Sequence, residues 1–239
     1  MKIGLIGYGK MGKEIEKIAI ERGHVIPLII DVDNPGDLIP EKLKKCDVVI
    51  EFTVPQSAVS NYFACFDAGV PVVSGTTGWL GQRDLIFQKC LESGGTFFYA
   101  SNFSVGVNLF FELNKRLAEL IIDHPDYKVD IKEIHHTRKL DAPSGTAISL
   151  AEDLIGLMPG KSGWRNDLNT DVHEIGIVSE RTGDVPGIHV VKWESDADSI
   201  EIIHNAKSRR GFAMGALLAA EYCQNHRGIL TMKDLLKIK

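Results

Sequence analysis

The stretch Lys2-Ile-Gly-Leu-Ile-Gly7-Tyr-Gly9-Lys-Met-Gly12 decides the fold of the first part of the chain. A short apolar run ends at Gly7, and an amphipathic helical pattern begins at Lys10. Between them lies a G-x-G-x-x-G sequence: its first glycine permits a tight turn, its second lets the backbone approach a pyrophosphate, and its third lets the helix pack on the strand. The spacing alone is weakly diagnostic, but its place between strand and helix favours dinucleotide binding over a purely structural turn. The residues predicted to contact the cofactor here are Gly7, Tyr8, Gly9, Lys10, Met11 and Gly12.

Apolar runs and helical patterns alternate through the first part of the chain. Strands are predicted at 3–6, 25–30, 48–52, 70–74 and 96–100, and helices at 10–22, 56–68 and 80–91. Strands separated by helices form βαβ units with parallel strands, and right-handed crossovers place helices on both faces of the sheet. We therefore expect a Rossmann-like, doubly wound parallel sheet of the α/β class.

The pattern changes after Asn102. Helices are predicted at 105–122, 147–157, 212–222 and 232–238, a strand at 128–136, a loop at 159–169, and β-rich runs at 172–181, 188–194 and 199–206 with a hairpin turn at 195–198. Few helical signals separate the last β-rich runs, which is typical of an α+β domain. We expect this second domain to contain an open mixed sheet.

Asp31 ends the second predicted strand, about twenty residues beyond the glycine loop, where an acid can accept hydrogen bonds from the adenosine ribose. An acid there also repels the 2′-phosphate of NADPH. The next residue is Val32, and no arginine follows to bind that phosphate. Asp31 followed by Val32 therefore favours NADH over NADPH, although Lys10 in the glycine loop could still reach a phosphate. The alternative for Asp31 is an exposed acid at a strand end.

Three more loops follow predicted strands of the same sheet. Ligands of open α/β sheets bind beyond the carboxyl ends of the strands, so these loops are predicted to line the cofactor cleft. Each alone is more often an ordinary turn. The residues concerned are Phe52 and Thr53, then Gly75, Thr76 and Thr77, and finally Ala100, Ser101, Asn102 and Phe103.

Residues 133–147, Glu-Ile-His-His-Thr-Arg-Lys-Leu-Asp-Ala-Pro-Ser-Gly-Thr-Ala, combine acid/base groups, positive charge and a helix start. Histidine titrates near neutral pH, so His135 and His136 suit proton transfer. A zinc site needs more ligands than the neighbouring Glu133, and we expect no metal. The alternatives to a catalytic role are a histidine that only supports the structure and a Lys139 that is simply solvated.

The same segment also offers groups that hold carboxylates. The first turn of a helix has unpaired N–H donors, and hydroxyls and a lysine lie beside them. We therefore expect an anionic substrate to bind at Ser144, Gly145 and Thr146 together with Lys139 and a histidine, while Arg138 is exposed.

The composition excludes several classes of protein. The chain has 239 residues, 44% of them hydrophobic, and a formal net charge of −5, which allows a proper core and argues against a general nucleic-acid surface. A strand pattern begins at Lys2 and no apolar run is long enough to span a membrane, so we expect neither a leader segment nor a membrane anchor. The four cysteines are far apart without a C-x-x-C pair, so we expect buried free thiols and a cytoplasmic protein.

The 133–147 segment closely resembles the signature of the dihydrodipicolinate reductase family, also called 4-hydroxy-tetrahydrodipicolinate reductases, of the diaminopimelate branch of lysine synthesis. The resemblance covers the whole chain. Further segments similar to family motifs are 7–12, 75–77, 100–106, 176–183, 187–189 and 204–209.

The resemblance implies hydride transfer from NADH or NADPH that reduces 4-hydroxy-tetrahydrodipicolinate, a small cyclic dicarboxylate, to tetrahydrodipicolinate. It implies a dinucleotide-binding domain at 1–103, to which 210–239 returns, and a substrate-binding domain at 104–209 that forms a homotetramer through its sheet. It implies that His135 is the acid/base residue and Lys139 the proton donor. The substrate-binding residues that it implies are His136, Ser144, Gly145 and Thr146.

One departure from the family bears on the cofactor. The stretch 32–47 is short, and it lacks the arginine that some relatives carry after the acid at Asp31, which puts dual cofactor use in question. Two rival functions stay open: another amino-acid dehydrogenase, such as aspartate or homoserine dehydrogenase, and a catalytically silent NAD-binding regulator. The residues also leave open which of His135 and Lys139 delivers the proton.

Overall fold

A computed structural model of the chain describes residues 1–168 and 171–238. The chain divides into two compact units. The first consists of Met1–Val105 together with the residues from Arg209 onward, and the second is Gly106–Ser208.

The first unit is built on six parallel strands, in the order β11-β5-β4-β3-β1-β2. Numbered along the whole chain, its strands are β1 (Lys2–Ile6), β2 (Val25–Ile30), β3 (Val48–Glu51), β4 (Val72–Ser74), β5 (Thr96–Tyr99) and β11 (Gly228–Leu230). Its helices are α1 (Lys10–Glu21), α2 (Pro40–Leu43), α3 (Pro55–Ala68), α4 (Arg83–Glu92), α7 (Arg210–Tyr222) and α8 (Met232–Leu236).

Both faces of this sheet are covered, because alternate side chains of each strand enter different cores. One core joins Ile3 and Ile50 to Ile15 of α1 and Leu217 of α7. The core on the other face contains side chains of α3 and α4. The predicted doubly wound α/β sheet is therefore confirmed.

The first unit differs from the sequence prediction in three elements, one of which is the short, unpredicted helix α2. The strand β11 was missed, because three residues are too few to show a periodic pattern; it extends the sheet beside β5. The helix predicted at 80–91 begins as a 3₁₀ turn at Leu80–Gln82 and becomes α-helical only from Arg83.

The second unit contains a five-stranded mixed sheet in the order β10-β9-β6-β8-β7. The central strand β6 is parallel to β8 and antiparallel to β9. Its elements are β6 (Lys128–His135), β7 (Gly163–Arg165), β8 (Glu174–Arg181), β9 (Ile188–Glu194), β10 (Ser199–Asn205), α6 (Gly145–Leu157) and α5 (Val105–Ile121), whose first residue belongs to the first unit.

The helices α5 and α6 pack on one face of this sheet through a core that includes Phe110, Leu150, Ile131 and Trp193. The predicted α+β domain with an open mixed sheet is confirmed. The loop predicted at 159–169 was partly wrong, because Gly163–Arg165 pairs with β8 as an edge strand; Asn169 and Thr170 lie outside the described residues.

The four cysteines are free and buried, as predicted. Over the described ranges, no helix combines the length and the apolar character that crossing a membrane requires.

Candidate active site

The glycine loop after β1 is shaped by close contacts at two of its glycines. Gly7 has a φ of +89°, and a Cβ there would overlap the carbonyl oxygen of Phe52. A Cβ at Gly12 would overlap the carbonyl oxygen of Gly7, so α1 lies directly against the turn. Nothing lies within 4 Å of the Cβ position at Gly9, among the described residues. The loop is thus tight where the chain turns and open where a phosphate would approach.

The other three residues of the loop differ in exposure. Tyr8 is half-buried and its hydroxyl donates to the Glu16 carboxylate. Met11 packs against the core, and Lys10 is exposed at the first position of α1. Lys10 is therefore the loop side chain best placed to meet an anion.

A cavity of about 380 Å³ joins this loop to the ends of β2 and β3. Its lining includes Gly7, Gly9, Asp31, Val32, Phe52 and Thr53. The backbone N–H of Asp31 donates to the side chain of Asn34 at 2.8 Å, which fixes the turn after β2, and Val32 is 84% exposed. The structure therefore brings together five predicted cofactor residues from three separate segments.

The loop after β4 is tied down by Glu51, a residue that the sequence prediction missed. Glu51 is fully buried, and its carboxylate accepts hydrogen bonds from the hydroxyls of Thr53, of Ser74 at 2.8 Å and of Thr76 at 3.0 Å. The Thr76 hydroxyl in turn accepts from the backbone N–H of Thr53 at 2.7 Å. Since Thr76 is used inside the protein, the exposed Thr77 and the backbone are what this loop offers to a ligand.

The loop after β5 is anchored by Phe103. Its ring is buried and lies 5.8 Å from that of Phe52. A Cβ at Gly215 of α7 would overlap the carbonyl oxygen of Phe103. The side chain of Asn102 accepts from the N–H of Ser104 at 2.9 Å, whereas Ser101 is exposed and Ala100 half-buried. Phe103 therefore acts as a support for the loop, and its neighbours form the accessible edge.

In the second unit, the end of β6 gathers a buried charged cluster. Glu133 and His135 lie on the same face of the strand, opposite His189 in β9 and Arg181 in β8, respectively. Glu133 is 0% exposed. Its carboxylate accepts hydrogen bonds from Nδ1 of His135 and, at 2.8 Å, from the Arg181 guanidinium.

The titration behaviour of the cluster follows from burial and partners. Burial raises the pKa of Glu133, but hydrogen bonds led by those from His135 and Arg181 outweigh it and bring the pKa down to about 2. Burial, with a smaller contribution from the His135 charge, lowers the pKa of His189 to about 3. At neutral pH the cluster therefore holds an ionised Glu133 and a neutral His189.

His136 and Lys139 lie in the turn that follows β6. Nδ1 of His136 is buried and has no hydrogen-bond partner within the described residues, so the hydrogen-bonding capacity of this atom is unused there. Nζ of Lys139 is 2.8 Å from Asp141, and its side chain is 21% exposed. Arg138 is exposed, as predicted, and pairs with Asp184.

The helix α6 begins at the predicted anion-binding turn. Ser144 is its N-cap and accepts from the N–H of Ala147 at 3.3 Å. The Ser144 hydroxyl also lies 3.1 Å from Nε2 of His189. Gly145 is exposed and Thr146 half-buried, so the first turn presents its N–H groups and one hydroxyl to an incoming anion.

Glu133, His135 and His189 could together reach a metal ion, since their ligand atoms lie within 4.8 Å of one another. The sequence argument against zinc considered only Glu133 and overlooked His189, which is distant along the chain. The Arg181 guanidinium already supplies positive charge to the Glu133 carboxylate. The donor set therefore fits an ion-paired histidine better than a metal centre.

The supporting residues that sequence patterns did not single out share one property: each is polar and buried within a strand. Glu51, Glu133 and His189 end or occupy otherwise apolar runs. A buried acid in a strand was the available signal. Their partners became visible only with the strand register.

Comparisons with known proteins identify similar chains. The family model for the N-terminus of dihydrodipicolinate reductase matches residues 1–103, and that for the C-terminus matches 106–236. A protein of Christiangramia forsetii named 4-hydroxy-tetrahydrodipicolinate reductase is 48% identical over 99% of this chain and 98% of its own. One of the same name from Methanococcoides burtonii is 37% identical over 95% of this chain and 85% of its own.

Solved structures support the fold. Dipicolinate-bound dihydrodipicolinate reductase from Paenisporosarcina sp. TG-14 matches with a TM-score of 0.78 and 22% identity, covering 100% of this chain and 99% of that one. The amine dehydrogenase of Mycobacterium smegmatis matches with a TM-score of 0.61 and 11% identity over 98% of this chain and 95% of its own. At these identities the likeness concerns architecture alone.

Proposed function

The chain belongs to the dihydrodipicolinate reductase family, and from this premise we propose which of its residues perform the reaction. It is an NAD(P)H-dependent oxidoreductase that reduces 4-hydroxy-tetrahydrodipicolinate to tetrahydrodipicolinate in the diaminopimelate route of lysine biosynthesis. The observation that carries this conclusion is 48% identity to a reductase of that name over 99% of the chain.

The first unit is proposed to bind the cofactor at the carboxyl ends of its strands. The open position above Gly9 suits a pyrophosphate, and Lys10 and the first N–H groups of α1 provide positive potential for it. The Asp31 carboxylate, which lines the same cavity, accepts hydrogen bonds from the ribose hydroxyls. The edges at 75–77 and 100–103 position the nicotinamide. The bound dinucleotide supplies the hydride.

NADH is proposed as the preferred cofactor. The side chain beside Asp31 is the exposed, uncharged Val32, and the described residues that line the cavity include no arginine or lysine. A 2′-phosphate placed there would meet the Asp31 carboxylate without a compensating cation.

The substrate is proposed to bind at the end of β6 and the start of α6. Its carboxylates accept hydrogen bonds from the first N–H groups of α6, the Thr146 hydroxyl and the His136 side chain, while Ser144 contributes as the N-cap that holds this turn. The related reductase of known structure is described as bound to dipicolinate, a dicarboxylate, which supports a site for two anionic groups.

The proton that completes the reduction is proposed to come from Lys139 or His135. Hydride addition places negative charge on the ring, and a general acid within hydrogen-bond reach neutralises it. Lys139 is partly exposed in the turn after β6, and His135 is the last residue of that strand. Replacement of a principal proton donor typically lowers the rate roughly 10²–10⁴-fold.

A homotetramer assembled through the second sheet is also proposed. The face opposite α5 and α6 carries a row in which Val178, Lys132, Val190 and Ile203 are neighbours, and Ile203 is 59% exposed. Apolar side chains on an open sheet face favour association.

A cytoplasmic location is proposed as well, because the buried free thiols suit a reducing compartment.

The assay that tests this function measures NADH oxidation by the purified protein with enzymatically generated 4-hydroxy-tetrahydrodipicolinate. We expect turnover with that substrate and none with aspartate semialdehyde alone. Turnover of the semialdehyde would instead support another amino-acid dehydrogenase, and no turnover of either with bound NADH would support a silent regulator. The same assay with NADPH tests the cofactor preference.

A further inference from the structure

The buried carboxylate of Glu133 has no assigned role in the reaction, yet it contacts a residue that does. We propose that Glu133 is a positioning residue: it fixes the tautomer of His135 and stabilises its protonated form, while Arg181 holds the carboxylate in place. The proposal rests on the proposed function, because it takes His135 to be an acid/base group.

The first argument is the use of both carboxylate oxygens. Oε2 of Glu133 accepts from Nδ1 of His135, and Oε1 accepts from the Arg181 guanidinium at 2.8 Å. The strand alternation places Glu133 and His135 on one face, and the register of β8 places Arg181 directly beside His135. A carboxylate held at both oxygens has one orientation, so it constrains the imidazole that binds it.

The second argument is the direction of the hydrogen bond. An ionised carboxylate only accepts, so Nδ1 of His135 carries the proton and Nε2 is the atom left for chemistry. Gly187 lies against that atom: a Cβ at position 187 would be 2.9 Å from Nε2. A glycine there keeps Nε2 clear of a side chain.

The third argument concerns the charges around His135. From β9, the neutral His189 ring meets the His135 ring edge-on at 5.1 Å, so it adds no repulsion to an imidazolium. From β8, the positive charge of Arg181 is paired with Glu133. The Glu133 carboxylate is thus the group that compensates a charge on His135.

Arg181 connects this pair to the Lys139 turn. Besides Glu133, its guanidinium donates to the carbonyl of Asp141 at 2.6 Å, and the Asp141 side chain pairs with Lys139. One arginine therefore ties together the two segments that carry the acid/base candidates.

The test is a double-mutant cycle in the full-length enzyme, with Glu133→Gln and His135→Ala measured singly and together at saturating substrate and NADH. We expect Glu133→Gln to lower kcat at least tenfold with little change in the KM for NADH, and to shift the pH profile of kcat. If Glu133 acts through His135, Glu133→Gln in the His135→Ala background should change kcat by less than about threefold. The proposal would be overturned if the loss of kcat in the double variant equalled the product of the losses in the two single variants. A normal kcat in His135→Ala would overturn it as well.

Two further variants keep the test decisive. Glu180→Gln removes a carboxylate from the neighbouring strand, where it pairs with the half-exposed Lys132, and should leave kcat and its pH profile unchanged. Glu133→Asp keeps a negative charge to pair with Arg181, but its shorter side chain moves that charge away from Nδ1 of His135. Because the buried charge pair is retained, this variant serves as the test if Glu133→Gln does not fold. A fully active Glu133→Asp would show that the carboxylate serves Arg181 alone. Inactive wild-type enzyme would instead count against the proposed function.

Discussion

Asp31 and Val32 are the two side chains on which we base the proposed preference for NADH. The sequence supplied both, since an acid at a strand end about twenty residues after a glycine loop has a defined role. The structure adds that they line one cavity with Gly7 and Gly9.

The paired substitution Asp31→Asn with Val32→Arg should shift the ratio of kcat/KM for NADPH over NADH upward by about tenfold or more. It removes a repulsive charge and adds a partner for the 2′-phosphate, and about 1.4 kcal/mol corresponds to a factor of ten. Asp33→Asn, at the exposed neighbouring acid, is the matched control and should leave the ratio unchanged. A wild-type preference for NADPH would contradict the role given to Asp31.

His189 makes the stability of the protein sensitive to acid. Its folded-state pKa, about 3, lies below the unfolded value near 6.5, so below pH 6.5 the unfolded state binds the extra proton and gains population. Stability that is complete above that pH is lost as the pH falls towards 3, at up to about 1.4 kcal/mol per pH unit.

We therefore expect the midpoint of thermal unfolding to fall more steeply between pH 6.5 and 5 in the wild type than in His189→Gln, which keeps a polar group near Ser144. Above pH 7.5 the difference between the two should be constant. Equal slopes on the acid side would show that His189 takes up its proton without unfolding.

At the scale of elements, the carboxyl ends of β3 and β4 depend on Glu51. Both strands could be predicted from the sequence, since their apolar runs are flanked by clear turns. The sequence could not show that Glu51 accepts hydrogen bonds from three hydroxyl groups. That arrangement requires the parallel register of Glu51 with Ser74. The same limit hid the Glu133–His189 pairing, while β7 and β11 were missed because each has only three residues.

Glu51→Gln should destabilise the first unit by about 1–3 kcal/mol and raise the KM for the cofactor more than it lowers kcat. The amide NH₂ that replaces one carboxylate oxygen cannot accept a hydrogen bond from the hydroxyls that point at it. The 75–77 loop therefore loses its anchor. Chemical denaturation and steady-state kinetics measure the two effects. The control is Asp84→Asn, whose side chain is exposed; its effect should stay within about 0.5 kcal/mol. An unchanged KM would separate Glu51 from cofactor binding.

At the scale of the whole molecule, we assign different tasks to the two compact units. The first holds the open glycine loop and Asp31, which we propose for the cofactor, and the second holds the buried Glu133–His135 cluster and the start of α6, which we propose for the substrate. Periodicity was sufficient to predict both architectures, whereas the roles that local motifs gave to individual residues stay predictions. Supporting residues such as Arg181 were unassigned because their partners come from other strands.

The central claim is that the 133–147 segment performs the proton chemistry of the reductase. The measurement that tests it most directly is kcat with saturating 4-hydroxy-tetrahydrodipicolinate and NADH for His135→Ala, Lys139→Ala and the exposed control Arg138→Ala. We predict that at least one of the first two variants loses roughly 10²–10⁴-fold in kcat while Arg138→Ala stays near the wild type. Near-normal turnover in both His135→Ala and Lys139→Ala would contradict the account.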